Sequence, residues 1–215
     1  MTTHKTDLTD QRKDYVKGEL SKGDVPSAPL QLFSTWFDEV CSIETHEAYA
    51  MTLATCHAGR PSARIVLLRA FSEEGFEFYT NYESRKGQDL AANPQAEILF
   101  FWPSLERQVR LFGRVEKVSE AQSLEYFHSR PRESQLAALV SCPQSAPVDS
   151  RAQMQETYDA LAKRYPDEVP RPASWGGYRL IPEYAEFWQG RAGRMHDRLV
   201  YELRGSSWSL QRILP

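Results

Sequence analysis

Basic and hydroxyl side chains cluster at the predicted start of a helix, where they could bind a phosphate group. A strand is predicted to end near Thr80, and a helix to begin near Ser84 with Arg85 and Lys86 in its first turn. The helix dipole disfavours cations at this end, whereas a phosphate bound to the free N–H groups would be neutralised by them. Two cations that merely reach solvent would give the same pattern, so the segment predicts either an anion site or a solvated helix end.

A second cluster combines an arginine with two hydroxyl groups. Tyr126 and Arg130 are four residues apart on a predicted helix and therefore share a face. Ser134 lies four residues further, beyond Pro131, which must break or restart the helix. A guanidinium flanked by two hydroxyls suits the several acceptor oxygens of a phosphate monoester. The alternative is a helix C-terminus whose arginines compensate the dipole, and the sequence leaves both interpretations open.

A third cluster places basic residues at alternating positions near the C-terminus. If the chain is extended here, Arg194, His196 and Arg198 lie on one face, with Met195 and Asp197 on the other. Flanking cations favour a neutral histidine that can accept or orient a proton. We therefore expect either an anion site with acid–base capacity or an exposed edge strand protected by its charges.

A further predicted strand is bounded by two arginines, Arg64 and Arg69. Strict alternation of side chains puts them on opposite faces of the sheet. A site that uses both needs either a bulge or a strand that ends before Arg69. The sequence does not choose between these geometries.

The composition is that of a globular protein with a sizeable core. The 215 residues are 41% hydrophobic and 26% charged, with a formal net charge of −3. This charge balance argues against a nucleic-acid partner. No apolar run approaches the ~18 residues of a membrane span, and the polar N-terminus lacks the apolar segment of a signal peptide. We expect neither a nucleic-acid nor a membrane partner.

Cysteine and histidine spacing argues against a disulfide framework and against a metal site. Cys41, Cys56 and Cys142 are odd in number and widely spaced, which indicates packing roles and a reduced, cytoplasmic compartment. The five histidines form no metal-binding motif. The chain also has no glycine-rich dinucleotide motif, Walker A loop or nucleophile elbow, so these three chemistries are unsupported.

The periodicity predicts a polar, flexible N-terminal arm over 1–28 and one domain over 29–215. Helices are predicted over 30–41, 84–92, 120–129 and 150–165, and strands over 48–55, 62–71, 76–81, 96–102, 107–118, 178–181, 186–190, 198–203 and 208–213. Ser119 and Gln122 have capping-box spacing, and Arg204-Gly-Ser-Ser207 fits a hairpin turn. Short strands with hairpin-length links predict an α+β fold built on an antiparallel β-barrel.

Seven segments carry a resemblance that covers most of the chain. They are Arg64-Ile-Val-Leu-Leu-Arg69, Phe78-Tyr-Thr-Asn81 with Ser84-Arg-Lys86, Leu105-Glu-Arg-Gln-Val109, Tyr126-Phe-His-Ser-Arg-Pro-Arg-Glu-Ser-Gln135, Trp175-Gly-Gly-Tyr-Arg179, Glu186-Phe-Trp-Gln-Gly190 and Arg194-Met-His-Asp-Arg198. In this order they resemble the signature blocks of the pyridoxamine/pyridoxine 5'-phosphate oxidase family. The resemblance implies an FMN-binding, antiparallel split β-barrel with peripheral helices, and a homodimer with each flavin at the interface.

Carried over residue by residue, the resemblance implies three sets of site residues. The FMN contacts are Arg64, Ile65, Val66, Leu67, Leu68, Arg69, Tyr79, Thr80, Arg85, Lys86, Gln108, Gln144, Ser145, Trp188 and Arg198. The substrate contacts are Arg12 and Tyr15 from an arm that folds over bound ligand, with Arg69, Tyr126, Arg130, Ser134, Arg194 and His196. Arg194 and His196 are also the implied catalytic pair, which orients the 4' substituent and assists proton removal.

The implied activity is oxidation of pyridoxine 5'-phosphate and pyridoxamine 5'-phosphate to pyridoxal 5'-phosphate, with O2 as acceptor and H2O2 as product. Two features depart from the family pattern. Arg69 stands where lysine is usual, and the segment 141–145 is one residue longer. Arginine keeps the charge but is not an equivalent replacement. The alternatives are a flavin oxidase of the same fold, of the phenazine-pathway type, and a non-catalytic flavin- or heme-binding protein.

Overall fold

The computed structural model describes residues 14–43 and 47–215, which contain five α-helices and nine strands. The helices are α1 (Pro29–Ile43), α2 (Arg85–Ala92), α3 (Glu120–Ser129), α4 (Arg132–Val140) and α5 (Arg151–Arg164). The strands are β1 (Ala50–His57), β2 (Arg60–Leu67), β3 (Ala70–Ser72), β4 (Gly75–Asn81), β5 (Gln95–Trp102), β6 (Arg107–Lys117), β7 (Trp175–Gln189), β8 (Asp197–Arg204) and β9 (Ser207–Ile213). None of the helices in these stretches is long and apolar enough to span a bilayer.

The strands form one antiparallel sheet in the order β2-β1-β5-β6-β7-β4-β3, and β8 pairs with both β7 and β9. The predicted α+β class with an antiparallel sheet is therefore confirmed. The register of β4 on β7 places Tyr79 opposite Gly177 and Asn81 opposite Trp175. The predicted hairpin at the end of the chain is also confirmed, because Arg204 pairs with Ser207 and Gly205 has a φ of +64°.

The described residues form two compact units. The first unit comprises 14–43, 101–109 and 186–215, and the second comprises 47–100 and 110–185. In the first unit, the apolar stripe of α1 is buried, as its spacing predicts. Trp36 packs edge-on against Phe187, with ring centroids 5.3 Å apart. Phe187 in turn contacts Tyr201 of β8.

The second unit has its own core, to which β4 contributes residues from both of its faces. Six of the seven residues of β4 are buried, and Phe78 stacks on Tyr178 of β7 at 5.6 Å. A separate cluster of buried residues holds α3 and α4 together: Phe127, Leu136, Ala138, Val169 and Trp175. This cluster places Trp175, at the start of β7, beside the end of α3.

Three element predictions are corrected by the structure. The strand predicted over 62–71 is two strands, since β2 ends at Leu67 and β3 begins at Ala70. Helix α4 is missing from the predicted helices, and of the two outcomes expected at Pro131 the structure shows the restart: Pro131, with a φ of −50°, is the N-cap of the new helix. The strands predicted over 178–181 and 186–190 are one strand, β7, which continues through Pro182. Gly113 leaves room for this proline, because a Cβ there would lie 2.8 Å from the Pro182 Cα.

The capping box predicted at the start of α3 is half correct. The Ser119 hydroxyl accepts a hydrogen bond from the Gln122 N–H, as expected for an N-cap. The Gln122 amide donates to both carboxylate oxygens of Glu77 instead of returning to the cap. Glu77 is buried and also accepts two hydrogen bonds from Arg179, so the glutamine completes a charged network behind the pocket described next.

Candidate functional site

A cationic pocket of about 280 Å³ lies in the second unit. It is lined by Ile65, Val66, Leu67, Arg69, Tyr79, Thr80, Lys86, Tyr126, Arg130 and Trp175. Nine of these ten residues belong to the predicted site. The described lining contains three cations and no carboxylate, so the pocket favours an anionic ligand.

Arg130 directly follows α3, and contacts with α4 and β7 fix its side chain at the wall of this pocket. Its Nη2 donates to the Ser134 carbonyl oxygen at 2.9 Å, and its guanidinium lies 4.6 Å from the centroid of the Trp175 ring. Its Nη1 is buried and has no hydrogen-bond partner among the described residues. Burial lowers the pKa of Arg130, against the opposing effect of Tyr126, and the charge of Arg69 lowers the pKa further. An unpaired buried donor is costly, and a bound anion would remove that cost.

Three aromatic rings form one side of the pocket. The centroids of Tyr79 and Tyr126 are 3.9 Å apart, and Tyr126 stacks on Trp175 at 6.2 Å with an interplanar angle of 9°. Burial raises the pKa of Tyr79 to about 12, and the nearby charge of Glu77 adds to this effect. The Tyr79 hydroxyl therefore keeps its proton at ordinary pH and can donate a hydrogen bond.

Arg69 reaches the pocket because strand β2 ends before it. The Leu68 N–H donates to the carbonyl of Tyr49, just before β1, whereas the Arg69 N–H donates to the carbonyl of Glu77 in β4. The backbone therefore changes its hydrogen-bonding partner from one strand to another between these two residues. The alternation that would put Arg64 and Arg69 on opposite faces therefore stops at Leu67. The Arg69 guanidinium is 5.6 Å from the centroid of the Tyr49 ring, at the edge of cation–π range.

Lys86 lies in the first turn of α2, as predicted. Its Nζ donates to the hydroxyls of Thr80 and Ser84 and to the Gln144 side-chain oxygen, at 3.0, 3.2 and 3.1 Å. The Ser84 hydroxyl also accepts from the Gly87 N–H and so caps the helix. Burial lowers the pKa of Lys86, and the positive charge of Arg64 lowers it further. These shifts make the ammonium a strong donor to any anion that replaces a neutral partner.

Arg64 lies beside α2 and donates hydrogen bonds to neutral oxygens. Its Nη1 donates to the Leu53 carbonyl and the Thr55 hydroxyl, at 3.0 and 2.9 Å. Asp89 lies 3.8 Å from its Nη2. Burial lowers the pKa of Arg64, Asp89 opposes that effect, and Arg85 adds to it.

A larger pocket of about 880 Å³ holds three further predicted residues, Arg85, Gln144 and Ser145. Its other lining residues are His57, Ala58, Arg60, Glu83, Gln88, Asp89, Pro143 and Ala146. Gln144 accepts a hydrogen bond from Lys86, which itself lines the smaller pocket. The Lys86–Gln144 pair therefore stands between the two pockets.

In the first unit, three predicted residues form an aromatic cluster. The Trp188 and His196 ring centroids are 4.7 Å apart, and Tyr15 packs edge-on against Trp188 at 5.6 Å. The Arg191 N–H donates to Nδ1 of His196 at 3.1 Å. A neutral imidazole held in this way carries its proton on Nε2, so the exposed side of the ring is a hydrogen-bond donor.

The predicted extended row of Arg194, His196 and Arg198 is wrong. Residues Ala192–Arg194 form a 3₁₀ turn in which Gly193 and Arg194 both have a φ of +63°, and β8 begins only at Asp197. Arg198 donates to Glu186 at 2.8 Å, so it forms an ion pair with a buried carboxylate. Charge repulsion along one strand face therefore does not arise. Arg194 itself is exposed.

The remaining predicted residues have varied environments. Leu68 is buried in the core, 5% exposed, and its side chain does not line the pocket. Ser134 is half-buried in the first turn of α4, and Gln108 is half-buried on β6. Arg12 lies outside the described residues.

Trp175 lines the pocket but was not among the predicted site residues. The signal for it is the pair of glycines that follows. A Cβ at Gly177 would lie 2.7 Å from the Tyr79 ring, and one at Gly176 would lie 2.7 Å from the Tyr82 ring. An aromatic residue followed by two glycines indicates a strand on which other rings pack closely.

Solved structures define the class of fold. The chain is similar to PhzG from Burkholderia lata 383, solved in complex with tetrahydrophenazine-1-carboxylic acid, with a TM-score of 0.85, 28% identity, and coverage of 90% of this chain and 95% of that one. It is also similar in fold to a pyridoxamine 5'-phosphate oxidase-related, FMN binding protein from Nostoc punctiforme, with a TM-score of 0.71, 20% identity, and coverage of 87% and 98%. The chain is an α+β protein of the antiparallel split-barrel type, as predicted.

Sequence comparisons define the family. The sequence model of one protein family, described as pyridoxamine 5'-phosphate oxidase, matches residues 38–164. A second family model, described as the pyridoxine 5'-phosphate oxidase C-terminal dimerisation region, matches residues 175–215. The pyridoxine/pyridoxamine 5'-phosphate oxidase of Deinococcus deserti is 51% identical, over 98% of this chain and all of that protein. The protein of the same name from Acinetobacter baumannii strain SDF is 50% identical over 97% of both chains. This chain belongs to the pyridoxamine 5'-phosphate oxidase family.

Proposed function

We propose that this protein is an FMN-dependent oxidase that converts pyridoxine 5'-phosphate and pyridoxamine 5'-phosphate to pyridoxal 5'-phosphate. The observation that carries the proposal is the buried, unpartnered Nη1 of Arg130 in a pocket with three cations and no carboxylate among its described lining residues. Such a wall suits a phosphate monoester, which offers several acceptor oxygens. The names of the relatives support the same substrate class.

The substrate phosphate is assigned to Arg130, Arg69, Tyr126 and Ser134. Arg130 already donates to the Ser134 carbonyl through Nη2, which leaves Nη1 to meet a phosphate oxygen. Arg69 supplies a second positive charge and a planar fork of donors in place of the usual lysine. The stacked rings of Tyr126 and Trp175 limit where the rest of the ligand can lie.

The residues at the start of α2 fit the phosphate of FMN. Lys86, Arg85 and Arg64 are cations near the N-terminus of α2, whose free N–H groups favour an anion. Gln144 and Ser145 complete this end of the cofactor site. The flavin ring is assigned to the segment Ile65–Leu68 with Tyr79 and Thr80, and to Gln108, Trp188 and Arg198.

FMN held at this site would supply the two-electron redox chemistry that couples oxidation of the substrate's 4' carbon to reduction of O2 to H2O2. The protein orients the substrate and limits water at the reacting carbon. His196 is assigned to the 4' substituent as a hydrogen-bond donor, because its Nδ1 already accepts from the Arg191 N–H. The Arg194 guanidinium offers only hydrogen-bond donors, so its proposed role is also to hold the substituent by hydrogen bonding.

The match to the C-terminal dimerisation region supports a homodimer, which we propose as the active form with each flavin at the interface. A second candidate function is oxidation of a carboxylated polycyclic substrate. It is favoured by the likeness to PhzG, whose structure holds tetrahydrophenazine-1-carboxylic acid, and by the forked donor of Arg69, which suits a carboxylate.

Aerobic turnover of the purified, FMN-loaded protein tests the proposal. We expect pyridoxine 5'-phosphate and pyridoxamine 5'-phosphate to yield pyridoxal 5'-phosphate and one equivalent of peroxide, and unphosphorylated pyridoxine to react poorly. Oxidation of a dihydrophenazine carboxylate, without oxidation of the phosphate esters, would establish the second candidate. Retention of FMN with no oxidation of either class would indicate a non-catalytic flavin-binding protein.

A further inference from the structure

Glu106 joins the N-terminal segment to the rest of the first unit. It is 1% exposed and has a φ of +56°, a strained backbone conformation for a residue other than glycine. Its Oε2 accepts hydrogen bonds from the N–H groups of Val16 and Lys17, at 2.7 and 3.0 Å. Its carbonyl accepts from the Gly190 N–H at 2.8 Å. One residue therefore links the backbone of residues 16–17 to the end of β7.

Asp197 makes a second connection three residues further along. Its Oδ2 accepts from the Leu20 N–H at 3.0 Å, and its Oδ1 pairs with Arg212. Arg212 also donates to the Leu20 carbonyl, so both backbone groups of this buried residue are bound. Arg191 adds a hydrogen bond to the Gly18 carbonyl at 2.9 Å. Residues 16–20 are thus held mainly through their backbone, and two carboxylates accept the N–H groups.

This attachment determines the position of Tyr15. The ring lies against Gly190, where an added Cβ would be 2.7 Å from the Tyr15 Cγ. It also meets Trp188 and His196 edge-on, with centroids 5.6 and 5.8 Å away. Gly18 packs just as closely on Gln189, whose Oε1 would be 2.9 Å from an added Cβ. A side chain at Gly190 would therefore displace Tyr15, and one at Gly18 would require the Gln189 amide to shift.

We propose that Glu106 is a positioning residue that holds the segment of residues 15–20 and so sets Tyr15 against Trp188 and His196. Its consequence for catalysis rests on the proposed function, which assigns His196 to the substrate. The two hydrogen bonds that Glu106 accepts offset part of the entropic cost of ordering that segment. Asp197 supports the same segment, and Glu106 is the connection nearest to Tyr15.

The test measures amide hydrogen exchange of residues 14–20 in the full-length, FMN-loaded protein without substrate, and compares the wild-type rate with the rates of four variants. Glu106→Gly removes the carboxylate while glycine accepts the positive φ without strain. Loss of two charge-assisted hydrogen bonds is expected to speed exchange at least about tenfold. Glu106→Gln keeps a neutral acceptor and is expected to give an intermediate rate. Gly190→Ala leaves Glu106 intact but displaces Tyr15, and is also expected to speed exchange. Gly23→Ala is the matched control, since its Cβ would meet only the Ser21 Oγ at 3.9 Å.

Steady-state kinetics of the same variants separate positioning from plain folding. Glu106→Gly is expected to raise KM for pyridoxine 5'-phosphate about tenfold with a smaller change in kcat, and Glu106→Gln is expected to restore part of the loss. Unchanged exchange in Glu106→Gly, or unprotected amides in the wild-type protein, would overturn the proposal. Faster exchange with unchanged kinetics would show that Glu106 holds the segment but does not position Tyr15 for catalysis. If exchange follows the predicted order but no variant turns over, the proposed function fails while the attachment by Glu106 stands.

Discussion

The guanidinium of Arg130 lies over the indole ring of Trp175, 4.6 Å from its centroid. The two residues are far apart in sequence, since Arg130 follows α3 and Trp175 begins β7. A cation this close to the face of an indole ring is attracted by the ring's quadrupole, which stabilises the position of the guanidinium. One nitrogen, Nη2, is bound to the Ser134 carbonyl, and Nη1 is buried without a partner among the described residues. The arrangement is that of a donor fixed in advance for an acceptor that a ligand would bring.

Replacing Arg130 with alanine is expected to weaken substrate binding far more than it slows the chemical step. Loss of charged hydrogen bonds to the phosphate should raise KM for pyridoxine 5'-phosphate about 10- to 100-fold, with little change in kcat. Steady-state kinetics of the FMN-loaded variant check this. Arg114→Ala, at an exposed arginine of β6 paired with Glu116, is the matched control and should behave as wild type. A large fall in kcat at constant KM would place Arg130 in the chemistry instead.

Replacing Lys86 with glutamine is expected to weaken FMN binding without unfolding the protein. The amide can keep some of the hydrogen bonds that Nζ makes to Thr80 and Gln144, but not the charge that would meet a phosphate. We expect the FMN Kd to rise at least about tenfold, measured by titration of flavin fluorescence. Lys163→Gln, on the exposed face of α5, is the control.

The same site makes FMN binding sensitive to high pH. The pKa of Lys86 lies below its ordinary value of 10.5 because the side chain is buried and Arg64 is close. As pH rises, the ammonium loses its proton earlier than a surface lysine would, so FMN should bind more weakly as that lowered pKa is approached. Kd measured at increasing pH checks this. An affinity that stays constant until a typical surface lysine titrates would contradict the assignment of Lys86 to the phosphate.

Replacing His196 with alanine is expected to lower kcat rather than raise KM. The ring is fixed by the Arg191 N–H and by Trp188, and we assign its Nε2 proton to the 4' substituent of the substrate. Loss of one neutral hydrogen bond in the transition state should cost about tenfold in kcat. Arg204→Ala, at an exposed arginine of β8, serves as the control. An effect on KM alone would mean that His196 only contributes to binding.

The raised pKa values of three tyrosines predict how the free energy of unfolding changes at alkaline pH. Burial raises the pKa of Tyr79, Tyr178 and Tyr201 to about 12, from an ordinary value of 10. The folded protein therefore holds these protons more tightly than the unfolded chain does. Their contribution to stability is complete below pH 10 and is lost as pH rises through the interval to about 12. Denaturant unfolding across that interval should show a falling free energy of unfolding, and Tyr178→Phe should make the fall shallower. An equal slope in both proteins would contradict this.

Local signals were sufficient to predict much of the fold from the sequence. The apolar spacing of α1, the N-cap serines at Ser84 and Ser119, and the Gly205 turn each act over a few residues, and the structure contains all of them. Features decided by distant neighbours were missed. Strand β7 continues through Pro182 because Gly113 makes room for it, and those residues are far apart in sequence.

The candidate site was predictable to a different extent in its two parts. Clustering of anion-binding side chains in short segments pointed to Lys86, Tyr126 and Arg130, whereas Ile65–Leu67, Tyr79 and Thr80 were named only through the family resemblance. Trp175 was missed because its place beside Arg130 depends on how α3 and β7 pack. The extended row through Arg194, His196 and Arg198 was wrong because alternation assumes a strand, whereas the Gly193–Arg194 turn delays β8 until Asp197.

The most direct test of the central claim is anaerobic mixing of the FMN-loaded protein with pyridoxamine 5'-phosphate, followed by the visible absorbance of oxidised flavin. Removing O2 isolates substrate oxidation from the peroxide-forming half of the reaction. We predict that the absorbance falls with the phosphate ester, falls far less with unphosphorylated pyridoxamine at equal concentration, and recovers in air with formation of peroxide. An absorbance that stays unchanged with the phosphate ester, in protein that retains FMN, would contradict the account.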